Sequence, residues 1–297
     1  MKIYLNGRIL PEEEATVSAT DHGFLYGAGF FETFRTFNGR AFLIDEHLKR
    51  LKSGCEQIRI RYGNTFLGTE PRMEPVLTEL LKANDLPDAA FRYTVSAGPT
   101  PGGLPRQAYT APTELLVPRP LSENDSQPVS LHVLTTRRNS SEFDPRPKSV
   151  NYLNSLAGHF ELLDRKTAPG DEGIMLSPDG RLCEGVTSNL FLIRDGCVHT
   201  PRCTGRILPG VTRQFLLGLA RSRRLPHIEG DYTLADMTPS DAVFLTNSVR
   251  GLIPVSAVFG AERERIWEND SSLDPHFNKL SRMYSMETLQ RCGTPHG

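Results

Sequence analysis

The chain reads as an α+β protein, an α/β arrangement in two domains with the smaller at the N-terminus and the larger at the C-terminus. Three observations predict this. Its 297 residues suit two domains of ordinary size. Helical periodicities alternate along the chain with short strand-like runs. A polar stretch bounded by Pro118 and Pro128 interrupts both patterns, which places a linker at 119–128 between domains 1–118 and 129–297.

Within the first domain, Ile44, Leu48, Leu51, Cys55 and Ile58 recur at helical spacing, with Asp45 as the expected N-cap. A second amphipathic helix carries Val76, Leu77, Leu80 and Leu81 and ends near Asn84. Strands are expected at 91–97 and 114–117, on either side of the Pro- and Gly-rich loop 99–105. Beyond the linker, 129–134 alternates like a half-buried strand, and 152–163 carries Leu153, Leu156, Ala157, Phe160 and Leu163 on one helical face. Asp179-Gly180 and Asp195-Gly196 are hairpin dipeptides, so 174–193 reads as two or three antiparallel strands. A helix begins after Gly210, a last strand spans 242–246, and the polar tail from Ala261 is expected to be partly mobile.

A net charge of −1 with interspersed signs leaves no basic stripe for a nucleic-acid backbone. Cys55, Cys183, Cys197, Cys203 and Cys292 are odd in number and irregularly spaced, with no C-x-x-C pair, which points to reduced thiols, a cytoplasmic protein and no bound metal. No leader-like segment opens the chain and no run approaches membrane-spanning length, so no membrane association is expected.

The chemistry gathers around Lys148, in Arg146-Pro147-Lys148-Ser149-Val150-Asn151-Tyr152-Leu153. Lys49, Lys52, Lys82 and Lys166 lie on helices or at their ends, and Lys2 and Lys279 lie near the termini. Lys148 alone stands beside a proline at a strand-to-helix junction, where partial loss of water favours a neutral, nucleophilic amine. Glu184 leaves a hairpin in Cys183-Glu184-Gly185-Val186-Thr187-Ser188-Asn189-Leu190-Phe191, and Gly210-Val211-Thr212 opens a helix. Taken singly these are a surface lysine, a strand-edge carboxylate and a structural cap. In this order they offer an amine for an aldehyde, an anion for a ring nitrogen and backbone N–H groups for a phosphate, the three requirements of pyridoxal 5'-phosphate.

From Tyr4-Leu5-Asn6-Gly7 to Ile253-Pro254-Val255 the chain resembles the fold-type IV pyridoxal-phosphate enzymes, which include branched-chain aminotransferases, D-amino-acid aminotransferases and 4-amino-4-deoxychorismate lyases. The resemblance implies a D-amino-acid-aminotransferase-like fold with a barrel-like sheet in the C-terminal domain, and a homodimer. It implies that Lys148 bonds the cofactor aldehyde and moves the substrate proton, and that Glu184 faces the pyridine nitrogen. Arg50 matches the phosphate arginine, and His47, Arg50 and Gly54 share a helix face. Leu208 matches the residue packed on the cofactor ring, Val211 and Thr212 the phosphate-binding helix start, and Asn247 and Ser248 a second phosphate loop.

Gly102 and Leu104 stand where the D-amino-acid enzymes carry an arginine and a histidine, and Ala90 stands where the branched-chain enzymes carry a tyrosine. Asp21-His22-Gly23-Phe24-Leu25-Tyr26-Gly27, Phe31-Glu32-Thr33-Phe34-Arg35 and Thr246-Asn247-Ser248 look most like the lyases. Their resemblance implies elimination of pyruvate to leave 4-aminobenzoate, with Thr33 assisting proton delivery. A dicarboxylate substrate requires cations, and Arg35, Arg92 and Arg138, with Arg137 and Arg250, are the candidates. The rivals are an aminotransferase for branched-chain or D-amino acids and a cofactor-binding protein without turnover.

Overall fold

The computed structural model describes residues 1–122, 127–269 and 274–293, and the centre of the expected linker, 123–126, lies outside these. The chain forms two compact units: Met1–Ser122 with Pro147–Asn151 and Thr288–Gly297, and Glu123–Arg146 with Tyr152–Glu287. The segment bearing Lys148 therefore belongs to the first unit, although it lies far beyond position 122.

The first unit contains β1 (Lys2–Leu5), β2 (Arg8–Pro11), α1 (His22–Tyr26), β3 (Gly29–Phe37), β4 (Arg40–Ala41), α2 (Ile44–Gln57), α3 (Glu70–Ala83), β5 (Ala89–Ser96) and β6 (Thr113–Pro120). Its strands form an antiparallel sheet in the order β2-β1-β6-β5-β3-β4. Phe30, Phe34, Phe91 and Tyr93 pack against Leu48, Leu51, Leu77 and Leu80 of the two longer helices. Alternation along β3 sends Phe30, Glu32 and Phe34 to this side and Phe31, Thr33 and Arg35 to the other. Asp45 is not the N-cap of α2: that position is Leu43, in left-handed geometry, and Asp45 lies in the first turn, where its charge meets the positive helix end. β6 runs through Pro120, so a strand crosses the boundary expected at 118.

In the second unit are β7 (Val129–Val133), α4 (Leu153–Asp164), β8 (Glu172–Leu176), β9 (Leu182–Gly185), β10 (Asn189–Arg194), β11 (Cys197–Pro201), α5 (Val211–Ser222), β12 (His227–Gly230), α6 (Leu234–Met237), β13 (Ala242–Asn247), β14 (Gly251–Phe259) and β15 (Arg265–Glu268). Strand β9 pairs back onto β10, which closes the ring β10-β13-β14-β7-β8-β9 into the expected barrel-like sheet. Leu131, Ile174, Leu190, Leu192, Val243 and Leu245 form its interior cluster. Their strand neighbours Phe191, Ile193 and Phe244 point the other way, against Leu216 and Leu217 of α5.

Two expectations change here. The described part of the tail is structured: β15 pairs with β14, and α7 (Pro275–Cys292) buries Phe277, Leu280 and Tyr284 at helical spacing. The apolar stripe of α4 is not its core face. Ser155, Gly158 and Leu162 are buried, while Leu153, Leu156, Phe160 and Leu163 are exposed. Close approach explains the choice, because a Cβ at Gly158 would meet Leu134 at 3.0 Å and Val186 at 3.2 Å. Among the described residues, no helix is long and apolar enough to cross a membrane.

Candidate active site

Lys148 precedes an isolated antiparallel bridge to β3. The Phe31 N–H donates to the Lys148 carbonyl at 2.9 Å, the Val150 N–H donates to Gly29 O at 3.0 Å, and Ser149 bridges Phe30. Backbone pairing of its carbonyl and of the two residues that follow restricts where its amine reaches. The Nζ lies 4.6 Å from the centre of the Phe31 ring, and the Arg92 guanidinium carbon lies 3.5 Å from the same ring. Thr33 stands opposite Arg92 across β3 and β5. Arg35 extends this face, with its guanidinium carbon 4.2 Å from the Phe37 ring and its Nε 3.4 Å from Thr36 O. One face of the sheet thus gathers Lys148, Thr33, Arg35 and Arg92.

Arg50 lies on the helical side of the same sheet. Its Nε and Nη2 donate to the two oxygens of Glu32 at 2.8 and 2.6 Å, and the Nδ1 of His47 lies 2.7 Å from Oε2. Glu32 and His47 are fully buried. Burial pushes the Glu32 carboxyl upward, but the Arg50 charge and the hydrogen bonds from Arg50 and His47 outweigh it and hold the pKa at about 2. Burial drives His47 the other way, below its ordinary value, against the pull of Glu32. A carboxylate only accepts, so a neutral His47 carries its proton on Nδ1. The spacing of His47 and Arg50 was legible in the sequence, whereas their shared anion, Glu32, was not singled out.

In the second unit, a register irregularity between Met175 and Leu176 alters the facing of β9. Leu182 joins the barrel interior, while Glu184 pairs with Met175 on one side and Asn189 on the other and faces outward with them. The Glu184 carboxylate accepts from Arg138 Nε at 2.8 Å, Asn189 Nδ2 at 3.2 Å and the Leu208 N–H at 2.9 Å, with Arg138 Nη2 at 2.6 Å. It is 3% exposed, so this guanidinium neutralises a charge that would be costly to bury alone. Arg138, expected among the substrate cations, is itself buried and is bound to Glu184 and to Asn154 Oδ1 at 3.0 Å. The tie between Leu208 and Glu184 runs through the Leu208 backbone.

α5 begins at Val211 with Gly210 as N-cap, which brings no side chain to its first N–H groups. Gly210 approaches so closely that a Cβ there would sit 2.0 Å from Asn189 Oδ1. Val211 and Thr212 are buried, and the Thr212 hydroxyl lies 3.4 Å from that of Ser248. The Asn247 side chain accepts from the N–H groups of Val249 and Arg250 at 3.0 and 2.7 Å, which ties it to shaping the Ser248 turn. Asn189 was the residue passed over: it stands five positions after Glu184 at the start of a strand, where a hairpin brings the two side by side.

The family described as Amino-transferase class IV matches residues 29–258, and the chain belongs to it. Class IV aminotransferases and lyases are pyridoxal-phosphate enzymes, and the chain is an enzyme of this class. Aminodeoxychorismate lyase of Bacillus subtilis is 38% identical over 260 residues, which cover 86% of each chain. A Methanocaldococcus jannaschii protein with a provisional branched-chain-amino-acid aminotransferase name is 34% identical over 268 residues, 88% of each. Among solved structures, 4-amino-4-deoxychorismate lyase of Pseudomonas aeruginosa superposes with a TM-score of 0.77 at 28% identity, covering 99% of this chain and 100% of that one. The fold also matches branched-chain aminotransferase of Thermoproteus uzoniensis, with a TM-score of 0.82 at 24% identity over 99% and 97% of the two chains.

Proposed function

We propose that the chain is a pyridoxal-phosphate-dependent 4-amino-4-deoxychorismate lyase that releases pyruvate and leaves 4-aminobenzoate, a step of folate biosynthesis. The observation that carries the lyase reading is the 38% identity to the Bacillus subtilis lyase over 86% of both chains. The residues fit the cofactor on structural grounds. Glu184 is a buried carboxylate with its charge balanced by Arg138, and the N-cap of α5 brings no side chain to the helix start. Lys148 would bond the aldehyde. Glu184 would face the ring nitrogen, Leu208 the ring, and Arg50, Val211, Thr212 and Ser248 the phosphate, with Asn247 holding the Ser248 turn. When bound, the cofactor withdraws electrons from the substrate amine and acidifies the neighbouring C–H.

The remaining chemistry belongs to the protein. The Lys148 Nζ takes the proton from the ring carbon that bears the amine. The enolpyruvyl C–O bond then breaks, its electrons leave with the side chain, and protonation of that fragment gives pyruvate. Aromatisation of the six-membered ring drives the step forward. Thr33, on the Lys148 face of β3, lies on the side where a proton is handed over. Arg35 and Arg92 supply cations for the substrate carboxylates on that same face, while Arg138 serves through Glu184. Arg138→Lys keeps the charge but loses the fork that grips Glu184.

The second reading, an aminotransferase for branched-chain or D-amino acids, is favoured by the 34% identity to the Methanocaldococcus jannaschii protein. Pyruvate release from 4-amino-4-deoxychorismate, measured beside amino transfer across an amino-acid panel, separates the two. Turnover only in the transfer assay would sink the lyase reading. Binding of the cofactor with neither activity would point to another reaction of the same enzyme class.

A cytoplasmic homodimer completes the proposal. Its support is the α4 stripe of Leu153, Leu156, Phe160 and Leu163, a contiguous apolar surface of the sort that subunits cover.

A further inference from the structure

The Thr246 hydroxyl is a buried side-chain group of the second unit without a partner. Thr246 is 1% exposed, and its Oγ1 is buried without a hydrogen-bond partner. A hydroxyl held so is costly, because folding removes it from water and returns nothing. Its position is specific. Thr246 stands opposite Asn189 in the β10–β13 ladder, and Asn189 stands opposite Glu184 in the β9–β10 ladder, so the three residues form one cross-strand row. Alternation on β13 places Thr246 on the same side as Phe244, which packs against Leu216 and Leu217 of α5. At the level of Thr246, that helix has reached its first turn: Gly210 abuts Asn189, and the Thr212 and Ser248 hydroxyls approach each other two residues along from Thr246.

We propose that Thr246 is a further binding residue, its hydroxyl completing the anion cradle made by the start of α5 and the Ser248 turn by donating to the phosphate of the bound cofactor. The inference rests on the pyridoxal-phosphate reading and adds a residue to it. A threonine at the end of a central strand would ordinarily satisfy its hydroxyl on a nearby carbonyl. Here Asn189 Nδ2 is committed to Glu184 and to Leu208 O, and no oxygen, Asn189 Oδ1 included, accepts from the Thr246 hydroxyl. An anion at the helix start supplies the missing acceptor, and it also meets the N–H groups of the first turn.

Thr246→Val removes the hydroxyl and keeps the shape, whereas Thr246→Ser keeps the hydroxyl. The test titrates cofactor-free wild-type and variant proteins with pyridoxal phosphate and with pyridoxal, which lacks the phosphate, and follows the thermal midpoint of each unliganded protein. Thr246→Val is expected to weaken pyridoxal phosphate by about tenfold or more while leaving pyridoxal unchanged, the fold-change of one hydrogen bond to a charged group. Its unliganded midpoint should stay level or rise, and Thr246→Ser should bind as wild type does.

Unchanged affinity of Thr246→Val for pyridoxal phosphate overturns the inference. So does an equal loss for both vitamers, or a lowered midpoint with loss of both, either of which marks a structural hydroxyl. A wild-type protein that fails to prefer pyridoxal phosphate over pyridoxal removes the underlying reading itself. Preference in the wild type with no change in Thr246→Val removes only the role of Thr246.

Discussion

Arg138 and Glu184 form a buried ion pair in which two guanidinium nitrogens meet one carboxylate oxygen, at 2.8 Å from Nε and 2.6 Å from Nη2. Breaking such a pair from one side leaves an unbalanced charge in a site closed to water. Arg138→Met should therefore cost roughly 3–5 kcal/mol of folding stability. Urea unfolding of the purified variant measures it, and a loss under 1 kcal/mol would show that Glu184 does not depend on this partner.

Lys148 gives a chemical prediction. Lys148→Ala should abolish borohydride fixation of pyridoxal phosphate to the protein and lower turnover by about 10²–10⁴-fold, the range of a lost general base. Lys166→Ala should leave both intact. Mass spectrometry of borohydride-treated protein locates the fixed label, and equal loss from the two substitutions rejects the assignment.

The acid response follows from Glu32 and His47. As pH falls below 6.5, unfolded chains protonate His47 while the folded state, with its lowered pKa, resists, so stability declines. From 4.5 down to about 2 the unfolded chain also protonates Glu32 ahead of the folded one, and the decline steepens. Unfolding midpoints recorded across this window should drop toward acid in two stages. Glu32→Gln should flatten the lower stage, and an unaltered acid slope in that variant would count against the salt bridge as its source.

Phe160→Lys on α4 places a charge in the centre of the exposed stripe. The proposed homodimer should then sediment as monomer, with the circular dichroism spectrum retained. An unchanged oligomer would remove α4 from the subunit contact.

Local chemistry was legible in the sequence. Asp179-Gly180 and Asp195-Gly196 fall between β8 and β9 and between β10 and β11, because a tight turn needs only its own residues to specify it. The start of α5 at Gly210 was equally plain. The periodicity of α4 showed which side is apolar, but the side facing the core was decided by the small residues Ser155 and Gly158, which periodicity does not weigh. The ladder of β10 with β13 and the parallel pairings of β7 with β8 and β14 join distant segments, and no run of residues announces them. For the same reason Arg138 looked like a receiver of substrate, since its partner Glu184 is remote in the chain.

The strand-like segment around Lys148 has a consequence for how this polypeptide can be dissected. Because 147–151 pairs with β3, a cut at 123–126 would leave Lys148 on the fragment that lacks its scaffold. The N-terminal fragment made by such a cut would lack two segments of its own compact unit, 147–151 and the stretch beginning at Thr288, so only the C-terminal fragment would carry its unit whole.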